Sequence, residues 1–239
     1  MNERLRDAML AARVDIEAIT HATNVDPKTV QRWIRGRVPH TRHRWKIADL
    51  LDVSEQELWP DEHDETLSEV VATYGRRSDA PASAWRQLFI QADEQIDMLA
   101  FAMLFIPEQD AHLVDLLKEK ADSGCRIRIA LADPMCEVVR LRDEEEGLGN
   151  TLPGRIRTTL YHFRSLRNYP GIEIKYHSTI LYNSLFRGDN ELFVTPHLYG
   201  LHGSQAPLLH LRLSQGKEGI FANFARHFES VWATTVPIE

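Results

Sequence analysis

The chain has 239 residues, of which 43% are hydrophobic, more than one ordinary domain of about 150 residues and enough for a sizeable core. The longest apolar run, Met98 to Ile106, falls far short of the roughly 20 residues of a membrane span, and no leader-like segment precedes the first helical pattern. The expectation is a cytoplasmic protein with no membrane partner. The net charge of −7 is unevenly spread: residues 1–60 carry ten basic and nine acidic groups, leaving 18 and 26 in the remainder. The acidic remainder is expected to stay off DNA, which points any such role to the N-terminal quarter.

In chain order, Leu5, Ala8, Met9 and Ala12 make one apolar helical face, and Ile16, Ile19 and Ala22 predict a second short helix ending near Asn24. Asp26 and Pro27 then mark a third helix start, an N-cap acceptor followed by a residue whose fixed φ suits the first helical position. Within that helix Val30, Trp33 and Ile34 fall on one face, while Lys28, Thr29, Gln31, Arg32 and Arg35 point the other way, and Gly36 supplies a stop. No Asp or Glu occurs from Pro27 to Ala48, against seven Lys or Arg that also include Arg37, Arg42, Arg44 and Lys46. Such a stripe attracts phosphate. Trp45, Ile47, Ala48, Leu50 and Leu51 predict a fourth apolar helix, and Ser54 with Glu57 forms the capping box of a fifth.

Next, Asp61 to Glu65 ends the helical bundle, Thr66 to Tyr74 reads as a helical segment serving as spacer or dimer contact, and Gly75 to Ser83 is small, polar and broken by Pro81. Beyond this the rhythm predicts a helix from Ala84 to Asp93, an apolar run from Ile96 to Ile106, a helix from Glu108 to Ser123 and a strand from Arg126 to Ala132, a β-α-β unit. Asp143 to Glu146 reads as an exposed loop or helix end. A basic helix follows from about Thr151 to Leu166, then strands near 172–176, 179–185, 191–195 and 208–213, with Arg187 to Asn190 as a hairpin turn. Ile220, Phe221, Phe224, Phe228, Val231 and Trp232 share one side of a last amphipathic helix. The expected organisation is an all-α domain of five helices over residues 1–61, a helical spacer and linker over 62–83, and a mixed α/β domain over 84–239.

Two resemblances follow from these residues. Thr29 to Gly36, reading TVxRWxxG, with Ile47 to Pro60, reading IAxxLxVSExxLWP, resembles the helix-turn-helix domain of the Cro and lambda-repressor type, the XRE family. In that family the third helix enters the major groove, so the resemblance implies that Lys28, Thr29, Gln31, Arg32 and Arg35 face bases or adjacent phosphates, with Arg37, Arg42 and Arg44 beside them. Where many members open the second helix with a phosphate-holding Gln or Ser, this chain has the acidic Val14-Asp15-Ile16-Glu17. The C-terminal order of elements is similar to phospholipase D-like domains, whose H-x-K-x-x-x-x-D motif aligns here with Tyr182, Ser184 and Asp189. With the nucleophilic His and the charge-stabilising Lys both replaced, the resemblance implies a catalytically degenerate homodimer rather than an enzyme.

Together these readings predict a DNA-binding transcriptional regulator, a homodimer on double-stranded DNA with no cofactor. A candidate pocket of Tyr182, Ser184, Asp189, His197, Tyr199, His210 and Arg212 would take a small anionic or nucleotide-like ligand. The rival readings are a DNA-directed phosphodiesterase or nuclease using His197 or His210, and a repressor or antitoxin controlled by a protein partner. His177, His197, His202 and His210 lack the tight pairing of zinc ligands, so no metal is expected. Cys125 and Cys136, outside any CxxC pair, read as reduced thiols. Arg155, Arg157, Arg164 and Arg167 beside Tyr161 read as a solvated, salt-bridged face rather than a second nucleic-acid surface.

Overall fold

Short polar side chains start most of the N-terminal helices. In the computed structural model, which describes residues 2–59, 69–214 and 219–238, Asn2 caps α1 (Glu3–Ala12), Asp15 caps α2 (Ile16–Thr23) and Asp26 caps α3 (Pro27–Ile34), each accepting from a first-turn backbone N–H. The acidic start of α2 is thus accounted for by helix capping: Asp15 accepts from the Ala18 N–H at 2.8 Å. After α4 (Thr41–Leu51), Ser54 and Glu57 close a reciprocal capping box on α5 (Glu55–Leu58). Leu5, Met9, Ile19, Val30, Trp33, Ile47, Leu51, Leu58 and Trp59 form the buried core of this unit, Met1–Ser68. Trp45, expected on the apolar side of α4, is instead 66% exposed, because Arg44, Ile47, Ala48 and Leu51 occupy the inward side.

The second unit, Glu69–Glu239, is a mixed α/β structure. Its strands are β1 (Val70–Tyr74), β2 (Gln95–Ala100), β3 (Arg126–Ala132), β4 (Ile172–His177), β5 (Asn183–Gly188), β6 (Glu191–Pro196), β7 (Leu208–Arg212) and β8 (Val236–Pro237). Among the described residues they form one sheet in the order β1-β7-β6-β5-β2-β3-β4-β8. Neighbours β2, β3 and β4 are parallel, and the other pairs are antiparallel. The parallel strands need crossovers: α6 (Ala82–Ile90) precedes β2, α7 (Phe105–Gln109) and α8 (Leu113–Asp122) link β2 to β3, α9 (Glu137–Glu145) and α10 (Leu152–His162) link β3 to β4, and α11 (Ile220–Trp232) follows β7.

Period-2 alternation divides the sheet's side chains between two cores. One face carries Met98, Ile127, Ile129, Phe186 and Phe193 under Trp85, Phe89 and Leu117, with the Trp85 ring edge-on to Phe105, Phe186 and Phe193 at 4.9, 5.2 and 4.9 Å. The opposite face carries Leu99, Ala130, Leu185 and Val194 under Ile156, Phe221, Phe228 and Val231. A buried ion pair with an exposed third member sits on that side: Arg128 donates to buried Asp97 at 2.7 and 3.0 Å and to exposed Glu229 at 2.9 and 2.6 Å, its guanidinium 4.7 Å from the Phe228 ring centroid. Gly188 lets β5 approach α6 closely, since a Cβ there would lie 2.1 Å from the Leu88 carbonyl oxygen.

Several expectations are corrected. The helical spacer and linker read over 62–83 gives way from Glu69 onward to part of the sheet unit, while residues 60–68 lie outside the described residues. Val70 to Tyr74 pairs antiparallel with β7, and Glu69 accepts from the Phe221 N–H at 2.9 Å, satisfying the start of α11. Val70, Val71, Thr73 and Tyr74 are β-branched or aromatic, so a waiting strand edge wins over helix. The single helix expected from Glu108 is two, broken where Asp110 accepts from the His112 N–H at 3.0 Å. Asp143 to Glu146 is the helix end of the two alternatives, closing α9, but it is not uniformly exposed: buried Asp143 accepts from Asn150 and Leu152 N–H at 2.5 and 2.6 Å. The strand expected from Thr179 starts only at Asn183. Cys125 is buried and Cys136 half-buried, both as free thiols, and burial pushes the Cys125 thiol up to about 11.

Candidate functional site

The N-terminal unit presents one basic face. With Val30 and Trp33 turned into the core, the helical period leaves Lys28, Gln31, Arg32 and Arg35 exposed and Thr29 half-buried. Arg37 and Arg42 are exposed in the turn after α3 and on α4. Among the described residues none of Lys28, Arg32, Arg35, Arg37 and Arg42 forms an ion pair. Arg44 departs from the expectation that it joins this face: it is buried, its Nε 2.5 Å from Glu55 Oε1, and it donates to Thr41 Oγ1 at 3.2 Å. It therefore ties α4 to α5. His43, packed 5.5 Å from the Trp33 ring, has its pKa lowered by burial and then by Arg42, Lys46 and His40.

The second unit holds a cavity of about 570 Å³ at the carboxyl end of β2, between the start of β5, the end of β6 and the turn after β1. Aromatic side chains Phe101, Phe105 and Phe186 wall it. On its floor Ser184 Oγ lies 2.9 Å from His197 Nε2, while His197 Nδ1 lies 3.1 Å from the Leu181 carbonyl oxygen. A carbonyl only accepts, so Nδ1 carries the proton and Nε2 accepts from the Ser184 hydroxyl. Burial, followed by the charge of Arg142, pulls the His197 pKa down to about 4, so the ring is neutral at pH 7. Thr195, opposite Ser184 in the β5–β6 register, is 1% exposed, borders the cavity and has an Oγ1 with no hydrogen-bond partner among the described residues.

Charge enters at the rim. Arg77 donates from Nε to the Gly203 carbonyl at 2.9 Å and lies 3.5 Å over the Phe105 ring, which fixes its guanidinium beside the cavity. Burial pulls its pKa down to about 10, with Glu146 acting in the opposite direction. Arg155, exposed on α10, also borders the cavity. Among the described residues neither Arg77 nor Arg155 pairs with a carboxylate. Of the two acids at the cavity, Glu146 is engaged by Arg142 at 2.5 Å and by His202 at 3.5 Å, and Glu108 is exposed.

Of the seven residues expected to share a pocket, the structure brings together Ser184 and His197 alone. Asp189 lies at the other end of β5, a separation of roughly 17 Å at about 3.4 Å per residue, and accepts from the Asp93, Glu94 and Gln95 N–H groups at 2.7, 3.0 and 2.8 Å. Its role is to cap a turn. His210 and Arg212 both bind Glu191 across the β6–β7 pair. Tyr182 and Tyr199 are exposed surface residues. Arg77, Arg155 and Thr195 escaped sequence reading: Arg77 sits in a stretch that reads as linker, Arg155 in one that reads as solvated, and Thr195 is an ordinary strand residue until its partners are known. Alternation along β5 puts Phe186 on the same face as Ser184, where both line the cavity.

Among the described residues no group of three His, Cys, Asp or Glu is arranged to hold a metal ion, and no helix is long and apolar enough to cross a membrane. Comparison with solved structures shows a likeness to TrmBL2, an archaeal chromatin protein whose structure is described as showing a novel mode of DNA binding, at 13% identity and TM-score 0.46 over 90% of this chain and 72% of that one. A phospholipase D family member, Nuc from Salmonella typhimurium, is similar at 12% identity and TM-score 0.40 over 70% of this chain and 98% of that one. No curated protein matches the chain. The family model Domain of unknown function (DUF5919) matches residues 68–239, well over half of the chain, and the chain belongs to that family.

Proposed function

We propose that the chain is a sequence-specific, DNA-binding transcriptional regulator of helix-turn-helix type that reads the major groove of duplex DNA through α3. The observation that carries this reading is the division of α3 into a buried Val30–Trp33 side and an exposed side of Lys28, Gln31, Arg32 and Arg35, none of them engaged by a carboxylate among the described residues. An exposed basic helix face of this kind suits phosphate and base-edge contacts. The chain acts as a cytoplasmic homodimer in this reading, because two-fold pairing offers two α3 helices to two half-sites. Its second unit takes a small anionic ligand rather than cleaving phosphodiesters, since Tyr182 and Ser184 stand where phospholipase D-like enzymes carry His and Lys. Selection of fragments from random duplex DNA at near-physiological salt tests the reading: an inverted repeat is expected, and enrichment without a motif overturns sequence-specific recognition.

One observation favours a second reading as a phosphodiesterase, the contact between Ser184 Oγ and His197 Nε2 at 2.9 Å beside an open cavity. Hydrolysis of bis(p-nitrophenyl) phosphate that is lost in His197→Ala would establish it. His210 has no part in this alternative, being held on Glu191 away from the cavity.

A further inference from the structure

The polarity of the cavity specifies more than an anion. At the floor, the Ser184 hydroxyl proton is committed to His197 Nε2, so Ser184 offers a ligand acceptor lone pairs. Thr195 adds a buried hydroxyl whose hydrogen-bonding capacity is unused by the described residues, and such a group is destabilising if it stays unpaired. An anion placed at this floor would face the acceptor lone pairs of Ser184 and a neutral imidazole whose one N–H is already used, with the Thr195 hydroxyl as a single donor. A ligand hydroxyl, able both to donate and to accept, suits it. The rim has the opposite character. The Arg77 guanidinium is held by Gly203 and Phe105 but leaves its Nη groups without a carboxylate among the described residues, and Arg155 stands nearby in the same state. Glu108 and Glu146 are the opposing charges at the rim, Glu146 being held by Arg142, which Glu145 shares, with His202 at 3.5 Å. A volume of about 570 Å³ lies within the range of roughly 300–1,000 Å³ that small-molecule sites occupy.

We propose that this cavity binds a small polyhydroxylated anion, with its charged group at Arg77 and Arg155 and its hydroxyls on Ser184 and Thr195. Sugar phosphates and sugar acids share this chemistry. Desolvation already lowers the Arg77 pKa, so a bound anion stabilises its charged form. The site deepens the ligand-binding half of the reading above and stands apart from the DNA-binding half.

The test is calorimetric titration of the full chain, without DNA, against glucose 6-phosphate, gluconate, glucose and inorganic phosphate. The expected result is that one or both hydroxylated anions bind at least tenfold more tightly than glucose or phosphate alone, and their ranking separates the phosphate from the carboxylate source. Arg77→Gln should weaken that ligand more than tenfold at unchanged melting temperature. Because Arg77 also braces Gly203 and Phe105, exposed Arg155→Gln repeats the anion test if Arg77→Gln loses its fold, and a loss of threefold or more is expected. Thr195→Val should weaken the hydroxylated anion while leaving inorganic phosphate unchanged. No heat from any of the four compounds, equal affinity for glucose or for phosphate alone, or indifference to the arginine variants overturns the proposal. Fluorescence anisotropy on a selected DNA site with the same preparation keeps the two readings separable: intact DNA binding without ligand heat sinks this inference alone.

Discussion

Trp33 and Arg44 illustrate how little a side chain's chemistry reveals about its task. Trp33 is 4% exposed beneath a helix whose other side is basic, and Trp33→Ala should cost roughly 3–5 kcal/mol of unfolding free energy in urea titration. Arg44 belongs to a basic run, yet its burial against Glu55 makes it structural. Arg44→Ala should cost roughly 3 kcal/mol, because it breaks a largely buried ion pair, and should leave the salt dependence of DNA binding unchanged. A reduced salt slope with full stability would return Arg44 to the phosphate-facing set. The histidines set a pH dependence. His177 donates from Nε2 to the Ala100 carbonyl and accepts at Nδ1 from the Thr179 N–H, and burial pulls its pKa down to about 4 from an ordinary 6.5. His197 lies equally low. Between those values the unfolded chain binds the extra protons, so their contribution to stability is complete above about pH 6.5 and is lost as the pH falls toward 4. Denaturation midpoints followed from pH 7 to 4.5 should fall, and His177→Gln should reduce the slope by about one proton.

At the scale of elements, α3 and β1 show opposite relations between local signal and outcome. Asp26, Pro27 and the Val30–Trp33–Ile34 spacing place α3 without reference to the rest of the chain, and the structure has it at Pro27–Ile34. If this helix reads bases, Arg32→Ala and Arg35→Ala should each cost about 1–3 kcal/mol on a selected site and much less on random duplex. Equal losses on both DNAs, measured by anisotropy at fixed salt, would reduce them to phosphate contacts. For β1 the local reading fails. Val70 to Tyr74 has no fixed partner nearby in sequence, and its ladder is supplied by Leu208 to Leu211, more than 130 positions on. The same distance hid the function of Arg77, whose anchors are Phe105 and Gly203.

For the whole molecule, the second unit begins at Glu69, and its integrity depends on residues that read as linker. A fragment covering 69–239 should unfold cooperatively. One covering 84–239 loses the β1 partner of β7, the Glu69 contact to α11 and Arg77, and should melt lower and self-associate through the exposed edge. Equal melting temperatures and monodisperse scattering from both fragments would show β1 to be dispensable. The N-terminal unit was legible almost helix by helix because capping and amphipathic period act within about four residues. Basic character, two-part organisation and mixed α/β class were likewise present in composition and rhythm. Strand partners, the end of the sheet at which Asp189 lies, the burial of Arg44 and the meeting of Arg77, Ser184, Thr195 and His197 at one cavity were decided by tertiary structure. Strand pairing and cavity walls join residues far apart in the chain, and no local preference encodes which of the available partners they meet.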